Sequence, residues 1–598
     1  MQPFISRRLF PWLGFIPVVL AFVGMTVLSW RKWGDVIIDF GSNLYAPWQL
    51  VEGKVLYRDI LWLFGPFSQY YHALLFKCFG VSLTTLIFSS LCLTAVCIIM
   101  VYLLFRQATD NVGAMVGCLV LVIVFAFAQY IGNGNYNYIC PYNYEAVHGL
   151  FASIAVIGFL ILWFFRRNVF SACVAGFFFG LVFLTKPEVF VAIAAAVLVA
   201  FVIECLGKRN LRAAVGFLFC AMIPVAVFAI YFCRMEGIHV GLHNTFWNWI
   251  AVFKVPIAKN KFYQWCLGLD EPQKNALLML QHFGGVLAAT AICVLCCRLQ
   301  RDTGAVRKVV SVLFLCALVA AAFQFDWMQC GRALPLLSPI ICLHLLWSRW
   351  KASEPDVSLN LVFPILWSVF GFVLLAKMGL NCRIWHYGFV LAMPAALSVV
   401  YYLGYFLPNA LKGFGVNVVL FRGTVYVLLG VGIFSLLGRS IQFYHLRDLP
   451  VGKNGDMSYM FDPDFDPTGK DLNLVLDWFE ANVPAGATFV AIPHGLGINY
   501  LTRHADPVRY TEFIPHVLQT YGNHRIAKQL EAAHPDYIVL VHVDTTEHGA
   551  RFFGESPEYG AEILRWINTT YRPVYLAGAE PLQNENFGIK ILGRKPIP

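Results

Sequence analysis

The chain has 598 residues, of which 59% are hydrophobic and only 13% charged, where a soluble protein carries about 25% charged residues. The formal net charge of +10 does not point to nucleic acid, because many of the basic residues fall in short loops between apolar runs, as orientation signals do. Most of the seventeen cysteines lie inside apolar runs, where a thiol packs as a small hydrophobe, and they show no zinc spacing. This composition excludes a soluble enzyme and a disulfide-stapled secreted domain, and leaves a polytopic membrane protein.

In chain order, Arg7 and Arg8 precede an apolar stretch from Leu9 to Ser29. That stretch is longer than the core of a cleaved signal peptide and reads as a retained signal anchor. Runs long enough to cross about 30 Å of hydrocarbon follow near 81–105, 112–131, 147–165, 169–185, 189–206, 212–232, 276–297, 309–325, 333–348, 359–377, 388–407 and 416–437. With the anchor they make about thirteen transmembrane helices. Placing Arg7 and Arg8 in the cytoplasm puts Arg106, Arg166, Arg167, Arg298, Arg349, Lys351 and Lys412 there too, which satisfies the positive-inside rule. The N-terminus is then cytoplasmic and the C-terminal domain extracytoplasmic.

The first outer loop, 30–80, carries two stretches of helical spacing. Leu44, Tyr45, Trp48 and Val51 form one, with Pro47 in its first turn and Gly53 as its stop. Tyr71, Leu74, Leu75 and Cys78 form the other, with Ser68 as N-cap and Gly80 after its end. Both are too short to span and are expected to lie in the interface plane as juxtamembrane helices. Beyond the transmembrane region, 1–437, residues 438–469 read as a linker rich in turn formers, Asp462-Pro-Asp464-Phe-Asp466-Pro-Thr-Gly among them. Residues 470–598 read as a soluble α/β domain. Helices are expected near 470–482, 524–533 and 559–569, and strands at 487–492, 536–542, 573–577 and 588–593.

Ionisable residues beside hydrocarbon cost about 2.5–3.5 kcal/mol unless paired or facing water. Five such places stand at the outer span ends: Asp35 and Asp39; Tyr142, Tyr144, Glu145 and His148; Lys186 and Glu188; Asp326 and Arg332; and Arg383, His386 and Tyr387. An outer cavity with carboxylates, cations and rings suits a lipid-phosphate sugar. The cations bind phosphate, the rings stack on sugar, and a carboxylate takes a proton from the attacking hydroxyl. No GxGxxG or Walker-type phosphate loop occurs in the tail.

The run Asp39-Phe-Gly-Ser-Asn-Leu-Tyr45-Ala-Pro-Trp-Gln-Leu-Val-Glu-Gly-Lys-Val-Leu-Tyr-Arg58-Asp59, followed by Phe64-Gly-Pro-Phe-Ser-Gln-Tyr-Tyr-His, resembles the first outer loop of GT-C fold glycosyltransferases. Within that fold it is similar to the branch of protein O-mannosyltransferases and lipid A aminoarabinose transferases. The resemblance implies a catalytic Asp just past the first span, matched by Asp39. It also implies two juxtamembrane helices and a polyprenyl-phosphate sugar donor, and Glu145 sits where related enzymes often place a second acidic residue. One departure stands out: aminoarabinose transferases carry a donor-contacting Lys before paired prolines, where this chain reads Phe64-Gly65-Pro66.

The expected fold is an α-helical polytopic membrane protein of GT-C type with a C-terminal soluble α/β domain. The expected activity is sugar transfer from a polyprenyl-phosphate donor in membrane lipid to an acceptor hydroxyl on a glycan, lipid or protein. Asp39 and Glu145 are the expected catalytic residues; Lys186, Arg332, Arg383 and Arg58 the phosphate binders; Tyr45, Tyr142, Tyr144, Glu188, His386 and Tyr387 the sugar or acceptor lining. No metal ligands are assigned, although a divalent metal is compatible with the chemistry. A transporter or flippase of lipid-linked sugars and a non-catalytic envelope assembly protein are the alternatives. The absence of repeated halves disfavours the first of these.

Overall fold

Short polar side chains open the long helices. Ser82, Asp110, Asn143, Asn168 and Asn417 each precede an apolar helix and accept a backbone N–H of its first turn at 2.8–3.2 Å, satisfying donors that a helix start otherwise leaves bare. The computed structural model describes residues 13–132, 136–206, 211–254, 260–300, 304–352 and 359–596, except for the side chains of Asp39, Leu206 and Lys254. Among these, nine helices are long and apolar enough to cross a membrane. Four shorter apolar helices, Leu13–Ser29, Asn111–Ala126, Val169–Phe183 and Val362–Lys377, occupy the remaining expected spans. Helix Tyr144–Arg166 is largely buried within the bundle. Phe219 and Phe434, 70% and 76% exposed, lie on helices whose outward faces suit lipid. The chain is a multi-pass integral membrane protein.

The helices of the first loop differ from their expected bounds. The first runs Asp39–Val51 with Pro47 in its interior. It starts early because Asp35 Oδ1 accepts from Ile37 N at 2.8 Å and Ile38 N at 3.2 Å, turning the chain into the helix. The second runs Phe67–Phe79 after Pro66. Ser68 lies inside it, and its hydroxyl bonds His148 Nδ1 at 2.9 Å instead of capping.

The region expected as linker is structured. Helix Val418–His445 continues past 437, and β1 (Arg447–Val451) pairs antiparallel with β2 (Ser458–Phe461). Pro450 and the turn-forming residues hide this hairpin from a pattern search. Its anchor is Arg447, whose guanidinium donates to Trp33 O and Gly132 O at 3.0 and 3.2 Å. The tail proper has a four-stranded sheet of β3 (Phe489–Ile492), β4 (Tyr537–Val541), β5 (Tyr571–Gly578) and β6 (Gly588–Arg594). Its order is β3-β4-β6-β5, with only the β3/β4 pair parallel. Helix Thr468–Asn482 buries Leu472, Val475 and Phe479 beneath it.

The tail docks on the first loop at the backbone level. Gly497 N donates to Ile37 O at 3.0 Å, and a Cβ at Gly497 would lie 1.8 Å from Val36 O. Asp506 N donates to the Tyr45 hydroxyl at 2.8 Å, and Leu61 N to Arg509 O at 2.7 Å. Loop and tail therefore occupy one end of the bundle. Gly497→Ala is expected to destabilise this contact by about 1–3 kcal/mol, the cost of overpacking. Gly430→Ala, at a position with nothing within 4 Å of the added Cβ, should leave the melting temperature of the purified full-length protein unchanged or slightly higher. Equal melting of both variants would show that the backbone contact carries no stability.

Candidate functional site

The five polar span ends meet at the same end of the bundle. Asn43 Nδ2 donates to Tyr142 O at 2.8 Å, tying the first loop to the segment before Glu145. Gly65 N and Phe67 N donate to Thr185 O and Leu184 O at 2.8 and 3.2 Å. Ile384 N donates to Met328 O at 3.2 Å, and Lys377 bonds Glu188.

At the centre two buried ammonium groups share one carboxylate. Lys377 Nζ lies 2.6 Å and Lys186 Nζ 3.5 Å from Glu188 Oε1. Lys186 also sits 4.5 Å over the Phe64 ring and 5.5 Å from the Tyr142 ring, and Lys377 lies 4.9 Å over Tyr387. Tyr142 and Tyr387 are 5.4 Å apart, edge to face. Burial, and then the adjacent Lys377 charge, push the Lys186 amine down from the usual lysine range against the pull of Glu188 and Glu145. An incoming anion would offset that penalty. Paired ammonium groups beside aromatic faces have the chemistry to take an anion next to a stacking ring.

Glu145 opens helix Tyr144–Arg166, where the helix dipole favours a carboxylate. It is fully buried, and its Oε1 accepts from Trp62 Nε1 at 2.9 Å and Gln69 Nε2 at 3.0 Å. Its Oε2 has no hydrogen-bond partner among the described residues. Asp39 is the first residue of helix Asp39–Val51, one turn ahead of Asn43; its side chain lies outside the described residues.

Other expected residues are placed differently. Arg332 bonds Gln329 and Asn275 at 2.7 and 3.4 Å. Arg383 stacks on Trp385 at 3.4 Å and on Trp265 at 5.2 Å. Burial, and then the charge of Arg332, lower the affinity of Arg383 for its proton, so these two arginines form a second cationic pair. His386 spends both nitrogens on backbone: Nδ1 accepts from Gly388 N at 2.9 Å, so Nε2 donates to Cys266 O at 3.0 Å. Burial keeps it neutral, lowering its pKa to about 3. Tyr144 packs on His72 and accepts from Ser90, and Tyr45 is engaged by Asp506. Arg58 is far more exposed than the lysine pair and makes a two-point bond to Asp59 at 2.9 and 2.7 Å.

Sequence reasoning missed Lys377, which stands at the end of an apolar run as Lys186 does, and Trp62 and Gln69, which hold Glu145. It also missed the contribution of the tail. Glu512 lies between His494 and His516, at 3.2 and 3.6 Å. Burial opposes its charge, but the His494 bond and the His494, His516 and His548 imidazoles hold it down to about 2. His548 packs 4.9 Å from Phe262, which lies 5.4 Å from Tyr387, so a chain of rings joins the tail to the lysine pair. Nothing in the spacing of these tail residues signals their meeting. Among the described residues no group of three or more His, Cys, Asp or Glu is arranged to hold a metal ion.

Residues 65–232 match the family model described as Dolichyl-phosphate-mannose-protein mannosyltransferase. No curated protein matches the chain. Solved structures similar to it include the Archaeoglobus fulgidus oligosaccharyltransferase in complex with Zn and sulfate, at 16% identity and a TM-score of 0.48, covering 88% of this chain and 67% of that one. Another is ArnT from Cupriavidus metallidurans bound to undecaprenyl phosphate, at 12% identity and a TM-score of 0.42, covering 97% of each chain. The stretch that carries Gln69, Glu145, Lys186 and Glu188 is thus the part similar to a mannosyltransferase family.

Proposed function

We propose that this protein is a GT-C type membrane glycosyltransferase that moves a sugar from a polyprenyl-phosphate donor to an acceptor hydroxyl at the extracytoplasmic face. The observation that carries this reading is the buried pair Lys186 and Lys377, which shares Glu188 beneath the rings of Phe64, Tyr142 and Tyr387. The family description over residues 65–232 names a dolichyl-phosphate sugar, the same donor chemistry. The sidedness rests on Arg106, Arg166, Arg167, Arg298 and Arg349, which belong to connections at the opposite ends of the spans.

Asp39 takes the proton from the acceptor hydroxyl. The oxygen attacks the anomeric carbon with inversion, and the bond to the lipid phosphate breaks. Lys186 and Lys377 hold the departing phosphate, whose charge grows in the transition state. Phe64 occupies the place where aminoarabinose transferases carry a Lys. Lys186 brings an ammonium to that ring from another helix connection, so the cation is supplied from a different segment. Glu145 positions Trp62 and Gln69 around the site. Arg332 and Arg383 bind the anionic part of the donor or acceptor farther along the cavity.

Asp39→Asn keeps the shape and removes the base. Sugar transfer in membranes supplied with the lipid donor should fall by at least about a hundredfold with donor binding retained; undiminished transfer would end the proposal. Lys186→Met and Lys377→Met each remove a charge-assisted bond of about 1.5–3 kcal/mol. Retention of a polyprenyl phosphate in native mass spectrometry should therefore weaken by about tenfold or more, while Arg58→Met retains it fully. Equal retention by all three variants would contradict the assignment.

A further inference from the structure

A cleft of about 500 Å³ opens between the first loop and the tail, with Lys54, Arg58, Asp59, Val508, Arg509 and Gln529 among its walls. It shares no residue with the Glu145, Lys186, Glu188 and Lys377 set. Three cations face one carboxylate, and that carboxylate is already engaged: Asp59 takes two bonds from Arg58 and a third from Val55 N at 2.8 Å.

The nearby acid does not cancel the excess. Lys54 Nζ bonds the main-chain oxygen of Asp506 at 3.0 Å, not its carboxyl group. Burial pushes the Asp506 carboxyl up to about 8, which favours its neutral form and weakens it as a counter-charge for Lys54. Arg509 Nε is buried without a hydrogen-bond partner among the described residues, and its guanidinium lies 5.9 Å from the rings of Tyr510 and Tyr521.

The walls are fixed before any ligand arrives. Leu61 N donates to Arg509 O at 2.7 Å and the Thr511 hydroxyl to Leu61 O at 3.2 Å, so loop and tail cannot shift past one another without breaking main-chain bonds. Arg58 also feels the charge of Glu236 and the hydroxyl of Tyr231, at the end of span Leu211–Glu236. The cleft therefore lies toward the Glu236 end of that span.

We propose that this cleft is a phosphate-binding site, held by Lys54, Arg58 and Arg509, that anchors a phosphate-bearing molecule at the seam between membrane domain and tail. Guanidinium groups set on two elements suit the spread oxygens of a phosphate better than a single carboxylate. The ligand is a phospholipid headgroup or a soluble phosphorylated molecule, and both present the same group.

The test uses the full-length protein in phosphatidylcholine nanodiscs. Inorganic phosphate is titrated in one arm and phosphatidylglycerol is included in the other, with the melting temperature as readout. A rise with phosphatidylglycerol alone identifies a headgroup, a rise with inorganic phosphate alone a soluble ligand, and a rise with both supports the shared chemistry. Arg58→Gln/Arg509→Gln should lose the rise while keeping wild-type retention of polyprenyl phosphate, which separates this site from the donor site. Arg58→Lys/Arg509→Lys should keep part of it. If the double Gln variant melts early in phosphatidylcholine alone, Arg58→Gln, at an exposed side chain, replaces it and should reduce the rise. No rise in either arm, or a full rise in the Gln variants, overturns the proposal.

Discussion

The first loop is held from both sides by main-chain hydrogen bonds, and the site depends on that restraint. Irregular backbone at a membrane boundary must find its partners within protein. Here Gly65 and Phe67 bond the Leu184–Thr185 turn on one side, and Ile37 and Leu61 bond the tail on the other. Both contacts require glycine: an added Cβ would lie 2.0 Å from Leu184 O at Gly65 and 1.8 Å from Val36 O at Gly497. The Gly65 contact sets Phe64 beside Lys186. The Gly497 contact sets the start of helix Asp39–Val51.

Electrostatics then follow from packing. Two ammonium groups buried within one polar cluster are costly unless paired, and Glu188 is the carboxylate within reach of both. The rings of Phe64, Tyr142 and Tyr387 supply part of the missing counter-charge through their faces. A phosphate would supply the rest. The tail reaches this region through His548, which packs on Phe262 and, through it, on Tyr387, so the C-terminal domain contacts the site's surroundings as well as the loop.

Much of this was legible in the residues because membrane spans announce themselves by apolar length, and all thirteen expected runs carry an apolar helix. The clustering of polar residues at one set of span ends was legible for the same reason. Individual roles were less so. Arg58 looks like a donor-phosphate binder until it is found bonded to Asp59 in a cleft that shares no residue with the lysine pair, and His386 looks available until both nitrogens are found on backbone. Lys377 escaped notice because it closes an apolar run, although the criterion that selected Lys186 applies to it equally. The β1/β2 hairpin was hidden by Pro450 and by turn formers, and the Glu512 histidines meet only through tertiary folding. Pro47 does not mark a first turn, because the Asp35 carboxylate accepts from Ile37 N and Ile38 N and turns the chain so that the helix starts at Asp39.

The most direct test of this account is an electron cryomicroscopy map of the protein in nanodiscs with a bound polyprenyl phosphate. Phosphate density is expected between Lys186 and Lys377, against Tyr142 and Tyr387, with the start of helix Asp39–Val51 facing the same site. Phosphate density elsewhere, with the lysine pair still closed on Glu188, would contradict it.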